Sequence, residues 1–290
     1  MRLAAQKSGE LQSARFALEA DFQIQGISSP ATGTAKLNGV LQDGGNAVQF
    51  TLAVDARVSP SAEADQPFRL FGNADIVMLP QQETFLRLNM LVTDPEQHLF
   101  QASLLDLVAG KWWLLPSQGS ASSPVPGGTL TRSPNLLKAQ SQVVRVREDD
   151  GLTMLDGKKV YHILVELDPE KLLGYLAQVA GERQEPFDRS AAAHTLENLK
   201  ASGELWVDAD TFYLRRVSWD VESLEEENGM TVSGSFTVDL SDHNAAPPII
   251  PPKDASPLSP QLFFGSEVLS SGDRPSVFAF TPVHDSLSLP

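Results

Sequence analysis

The chain has 290 residues, room for one large domain or two small ones, and its 41% hydrophobic and 20% charged content belongs to an ordinary folded protein. Lys+Arg number 22 against 37 Asp+Glu, a net charge of −15, which argues against a nucleic-acid binder and against electrostatic docking on anionic lipid headgroups. Cysteine is absent, so disulfides, Cys-ligated zinc, iron–sulfur clusters and thiol nucleophiles are excluded.

No run of about 18 apolar residues is available to span a bilayer. The first seven residues, Met1 to Lys7, lack the apolar core of a secretory signal. The expectation is therefore either a cytoplasmic protein or a sequence that begins after a leader. The first strand follows at once. In Ala14–Gln25 the apolar positions Phe16, Leu18, Ala20, Phe22 and Ile24 alternate with Arg15, Glu19, Asp21, Gln23 and Gln25. Val48, Phe50, Leu52, Val54, Ala56 and Val58 repeat the pattern, then Leu86, Leu88 and Met90. Tyr161, Ile163, Val165 and Leu167 do so again, and Val232, Phe236, Val238 and Leu240 late in the chain, with Gly234 in place of one side chain. A period of two marks antiparallel strands with one face buried and one wet. Turn residues separate them at Asp43-Gly44-Gly45, Asp156-Gly157 and Asn228-Gly229. Residues 205–222 read as a hairpin turning at Asp208-Ala209-Asp210.

Helices interrupt this order. Residues 96–108 present Leu99, Leu104, Leu105 and Val108 at helical spacing. Asp168-Pro169-Glu170 supplies an N-cap, a first-turn Pro and an acid; Leu172, Leu173, Leu176, Val179 and Ala180 follow at helical spacing, and Gly181 is expected to stop the run. Asp188 can cap a second helix through residues 191–201, with Gly203 beyond its end. Helices set among many strands predict an α+β fold rather than βαβ winding. Residues 116–134 read as a Ser/Gly/Pro-rich surface loop. Nine of the 20 prolines lie from Pro247 onward, and residues 259–290 read as a flexible tail.

Catalytic signatures are missing. Gly-x-Ser-x-Gly, the P-loop, Gly-x-Gly-x-x-Gly and His-Glu-x-x-His do not occur. The five histidines are scattered, so no metal site and no catalytic residue is expected. Asp208 and Asp210 begin like a calcium loop, but Phe212 occupies the third ligand position, and a hairpin turn is the better reading. Asp220 to Glu227 reads as a solvated strand end. His162 is expected on a solvated or cross-strand-paired face beside Lys158 and Glu166. Trp112-Trp113 places one indole on each side of a strand, one of them in the core.

The order of segments says more than any one motif. A helix-like start runs into the strand Ser13–Gln25, and a Gly110-Lys111-Trp112-Trp113 strand follows a short helical segment. Asp156-Gly157-Lys158-Lys159-Val160-Tyr161-His162 leads to Leu167-Asp168-Pro169-Glu170-Lys171-Leu172, which opens a helix. Gly203-Glu204-Leu205-Trp206-Val207-Asp208, Leu214-Arg215-Arg216-Val217, Ser241-Asp242-His243-Asn244 and Ile249-Ile250-Pro251-Pro252 complete the succession. It resembles the LolA/LppX-like superfamily of bacterial lipoprotein and lipid carriers, over roughly residues 8–258.

The resemblance implies a curved antiparallel β half-barrel with two or three helices on its concave face and an apolar cavity for acyl chains between them. It divides the chain into a carrier domain over residues 1–258 and a tail over 259–290. It implies a non-enzymatic, extracytoplasmic protein of the bacterial cell envelope that carries or senses a lipid or a lipidated protein, with no cofactor. The lipidated N-terminal cysteine of the superfamily has no counterpart here. A cell-envelope structural or protein-interaction domain with a self-filled core is the alternative. On the implied fold the cavity lining comes from Phe50, Leu52, Val54, Leu86, Leu88, Met90, Phe236 and Val238 on the strands, joined by Leu172, Leu176 and Val179 from the helix.

Overall fold

A computed structural model describes residues 2–26, 30–59, 66–80, 83–95, 105, 107–115, 142–183, 186–197, 199–225 and 229–258. Residues Met1–Pro257 make one compact unit. The loop expected at 116–134, the tail expected from 259 and the turn residue Asn228 lie outside the described residues. So does most of the helix expected at 96–108, of which residues 105, 107 and 108 are described and helical.

The chain opens with α1 (Arg2–Gly9), β1 (Ala14–Gln25), β2 (Ala31–Gln42) and a single 3-10 turn (Asp43–Gly45). Next come β3 (Ala47–Val58), β4 (Phe68–Met78), β5 (Thr84–Asp94) and the short β6 (Trp113–Leu115). The second half holds β7 (Val144–Leu155), β8 (Lys158–Leu167), α2 (Pro169–Arg183), α3 (Arg189–Glu197) and β9 (Lys200–Asp208). It closes with β10 (Leu214–Glu225), β11 (Thr231–Ser241) and β12 (Ser256–Pro257). The fold is α+β: one curved, open sheet in the order β12-β6-β5-β4-β3-β2-β1-β11-β10-β9-β8-β7, with the helices on one side. Every pairing between neighbours is antiparallel except β12 with β6. The two end strands do not pair, so the sheet stays a half-barrel.

Local chemistry explains most element ends. Asp156 and Gly157 both take positive φ (50° and 75°), as a two-residue turn between twisted strands requires, and join β7 to β8. Asp168 Oδ1 accepts the Lys171 N–H at 3.2 Å at the start of α2, and Asp188 Oδ1 accepts the Ser190 and Ala191 N–H groups at 2.9 and 3.0 Å at the start of α3. Two helix ends differ from expectation. The first helix continues through Gly181 to Arg183; a single helical glycine costs only about 1 kcal/mol. The second is shorter than residues 191–201, stopping at Glu197 because Lys200 and Ala201 join β9. Gly203 is a buried strand residue, not a helix stop.

The middle of the sheet is where the chain's first and penultimate strands meet. β1 pairs with β2 on one side and with β11 on the other, and a polar knot locks the joint. Asn244 Oδ1 accepts the Gln12 and Ser13 N–H groups (2.7 and 3.3 Å), its own N–H donates to Ser13 O (2.7 Å), and its Nδ2 donates to Tyr213 Oη (2.8 Å). His243 stacks on Tyr213 at 4.8 Å and donates from Nε2 to Leu214 O at 2.9 Å. Burial pushes the His243 imidazole below its ordinary value, against the pull of the Leu214 carbonyl.

Candidate functional site

Strand register sorts the side chains into two unlike faces. One transverse row runs Leu88, Ala74, Leu52 and Leu37 across β5 to β2, and continues through Leu18, Val238, Val217 and Leu205 to Ile163 on β8. Nine strands contribute and every residue is apolar. At about 4.8 Å per strand the row is on the order of 38 Å long. The flanking rows hold Val54 with Phe236 and Trp219, and Leu86 with Phe50 and Phe16. Of the expected lining, Phe50, Leu52, Val54, Leu86, Leu88, Phe236 and Val238 therefore share one face.

Met90 does not. A bulge between Asn73 and Ala74 places Leu88 opposite Ala74 but Met90 opposite Asn73, so the extra residue turns Met90 to the other face, where it is 40% exposed. This corrects its place beside Leu86 and Leu88. Leu172, Leu176 and Val179 lie half-buried on α2, which packs on α3, while Leu173 and Ala180 are the buried positions of that helix.

Glycines shape the apolar face. A Cβ at Gly39 would lie 2.8 Å from the Phe16 ring, one at Gly33 would lie 2.8 Å from the Phe22 ring, and one at Gly203 would lie 2.7 Å from the Trp219 ring. Each aromatic ring thus lies over the bare backbone of a neighbouring strand instead of standing up from the sheet, which keeps the face low in relief. On β2 to β5 only Phe50 and Ala56 are buried on this side, and both pack against those glycines. Leu37, Leu52, Val54, Leu86 and Leu88 are half-buried.

Cover comes at the other end. Ala4 of α1 joins Ile163, Val165 and Val207 in one buried cluster, with Tyr161, Leu205 and Trp219 packed around it. The helix-like start read from the sequence is thus a lid on β8 and β9. At β6, Trp113 is buried and donates from Nε1 to Val108 O at 2.9 Å, whereas Trp112 lies under the Arg87 guanidinium at 4.8 Å. One indole is core and its neighbour is not, as the alternation predicts, although the strand begins at Trp113 rather than Gly110.

The opposite face is polar along most strands and internally paired. Asp75 accepts hydrogen bonds from Thr51, Arg87 and Asn89; burial opposes its charge, but these donors outweigh it and hold the carboxyl below its ordinary value. Lys36 bridges Glu19 (2.8 Å) and Arg216 bridges Asp239 (2.6 Å), each across strands. His162 meets Glu204 at Nε2 (2.8 Å) and Asp150 at Nδ1 (2.9 Å) and stacks on Trp206. This is the cross-strand-paired histidine of the sequence reading, bonded to residues on both neighbouring strands. Asp208 folds the hairpin turn, Oδ1 taking the Asp210 and Thr211 N–H groups at 3.1 and 2.9 Å while Arg215 faces Oδ2 at 3.4 Å. Its carboxyl is occupied by the turn itself. Among the described residues no group of His, Asp and Glu could hold a metal ion, and no helix is long and apolar enough to cross a membrane.

The sequence reading names no strand at β2, β4 or β7 and does not find the polar groove. In β2, Ala31, Gly33, Ala35 and Gly39 carry too little side chain to show a hydrophobic period; the polar alternation of Thr32, Thr34, Lys36 and Asn38 was the available signal.

No protein-family model and no curated protein matches the chain. It is similar to several solved structures. The Mycobacterium tuberculosis lipoprotein LppX is 14% identical, with 86% of this chain and 97% of that one covered at a TM-score of 0.33. A β-barrel-like DUF1849 protein from Brucella abortus is 10% identical over 80% of this chain and all of that one, at 0.31. A DUF1329 family protein from Desulfovibrio piger is 9% identical, covering 83% of this chain and 89% of that one, at 0.18.

Proposed function

We propose that this protein binds the acyl chain of a lipid or of a lipidated protein against its apolar face, and that it carries or senses that chain outside the cytoplasm without chemically altering it. The observation behind this reading is the nine-strand apolar row from Leu88 to Ile163, of which only Ile163 is buried. Apolar side chains left half-wet over eight neighbouring strands are a standing free-energy deficit that an aliphatic ligand would relieve. A chain burying about ten methylenes gains about 8 kcal/mol gross, with no charged group required. Phe50, Leu52, Val54, Leu86 and Leu88 would form the floor, with Phe236 and Val238 extending it across the sheet. Leu172, Leu176 and Val179 would approach from α2. The tail over residues 259–290 is proposed to lie outside this carrier domain.

The second reading, a structural or protein-interaction domain of the cell envelope filled by its own side chains, draws on the Ala4–Ile163–Val165–Val207 cluster. Organic extraction of the purified protein followed by mass spectrometry separates the two, with titration of a fluorescent fatty acid into the parent and Leu88→Trp. A carrier yields extracted lipid, and Leu88→Trp costs little stability while weakening binding at least tenfold. A self-filled core yields no lipid and no titration, and Leu88→Trp then destabilises by about 1–3 kcal/mol through overpacking.

A further inference from the structure

The polar face contains a groove of about 490 Å³ that the apolar face does not explain. Its walls come from β11, β1, β2, β3 and β4, with Asp21, Thr34, Asp55, Arg57 and Arg69 among the lining side chains. The backbone of Phe22, between Gly33 and Gly234 in the register, underlies it, the Phe22 ring lying on the apolar face.

The groove holds both signs of charge, Asp21 and Asp55 with Arg57 and Arg69. Asp21 on β1 forms no ion pair among the described residues. Arg57 on β3 stands directly opposite Arg69 on β4, a like-charged cross-strand pair that costs stability. Arg69 is answered by a two-point bond to Asp55, with Asp94 as its partner across β5. Arg57 has no carboxylate bonded to it among the described residues. Counting Asp21, Asp55, Asp94, Arg57 and Arg69, the cluster carries −1, in a chain of −15, which disfavours a simple anion.

The transverse row that starts at Asp21 runs through Thr34 and Asp55 to Phe71 and Val92. Phe71 is 37% exposed and Val92 51%, and Met90, turned outward by the bulge, joins them at 40%. These are exposed apolar side chains on the face that carries the groove. Read across the sheet, the surfaces are the acid Asp21 on β1, then Arg57 beside the Asp55–Arg69 ion pair on β3 and β4, then an apolar shelf on β4 and β5 with Asp94 at its edge. Asp21 and Arg57 lie two strands apart and two residues out of register, about 12 Å at the backbone, and both line the groove.

We infer that this groove is a second binding site, for a zwitterionic amphiphile whose ammonium meets Asp21, whose phosphate meets Arg57 and Arg69, and whose first methylenes lie on Phe71, Met90 and Val92. The order ammonium, phosphate, chain is the order of the surfaces. A zwitterion adds no net charge to an acidic protein, and its phosphate relieves the repulsion between the two arginines. The site is independent of what the apolar face carries.

The test is calorimetric titration of the full chain with the octyl ester of phosphoethanolamine, with octyl phosphate, phosphoethanolamine and inorganic phosphate as the arms lacking one part. The ester is expected to bind saturably and at least tenfold more tightly than each of the other three. Arg57→Gln is expected to lower that affinity at least tenfold while its melting temperature stays equal or rises, because a like-charge contact is removed. Val92→Asn, at an exposed position, is expected to weaken the ester but not phosphoethanolamine. Three results would overturn the assignment: no saturable binding; octyl phosphate or free phosphate binding as tightly as the ester; or ester binding that Arg57→Gln leaves intact and Leu88→Trp abolishes. The last would place the ligand on the apolar face and leave the proposed function standing while this one fell.

Discussion

The same face of the same sheet is finished differently at its two ends. Over β8 and β9, Ile163, Val165 and Val207 are closed by Ala4 of α1, so the chain itself supplies the missing layer. Over β2 to β5 the matching rows hold Leu37, Leu52, Val54, Leu86 and Leu88 half-buried, and glycines let the rings of Phe16 and Phe22 lie flat. The strands are alike in length, pairing and alternation; the difference is what stands above them. A sheet needs a second layer to bury its apolar side. Where α1 provides it the sheet is core, and over β2 to β5 the same apolar rows stay half-buried.

That contrast predicts unequal responses to equal truncations. Ile163→Ala leaves a hole beneath a packed helix and is expected to cost about 2–5 kcal/mol in urea unfolding. Leu52→Ala removes a side chain already half-wet and is expected to cost about 1–2 kcal/mol. Equal losses would erase the distinction between the two ends. The glycines sharpen it next. Gly39→Ala sets a Cβ 2.3 Å from the Gln49 carbonyl oxygen, a backbone atom that cannot yield locally, whereas Gly203→Ala meets only the Trp219 ring at 2.7 Å. Gly39→Ala is therefore expected to lower the melting temperature further, at a cost of about 1–3 kcal/mol, and a larger loss for Gly203→Ala would mean that Trp219 is held more rigidly than the sheet.

Acid should probe the middle of the sheet before the polar face. His243 titrates below its ordinary value in the fold because of burial, so the unfolded chain binds that proton first. Its contribution is present above about pH 6.5 and lost as pH falls through that value toward the folded one. Asp75 and Asp208 are held low despite burial, by their hydrogen-bond donors; their contribution is present above about pH 4 and lost as pH falls below it. Melts against pH should show two declines in that order, with His243→Gln removing the upper and Asp75→Asn reducing the lower. The smallest effect belongs to the exposed Lys36–Glu19 pair: Lys36→Ala is expected to leave the melting temperature unchanged within error, since solvent screens such pairs.

What the sequence by itself determined is local. The period of two at Ala14–Gln25 and through β3, β8 and β11 announces strands with one apolar face, Asp156-Gly157 announces its hairpin, and Asp168 and Asp188 announce their helices, because backbone pleat, turn dihedrals and cap bonds depend only on residues a few positions apart. Only the tertiary structure decided that β1 joins β11, that the Asn73/Ala74 bulge carries Met90 to the other face, that Asp21, Arg57 and Arg69 share one groove, and that α1 covers β8 and β9 but not β2 to β5. Each of these depends on which strands become neighbours and in what register, and alternation is the same for every possible partner.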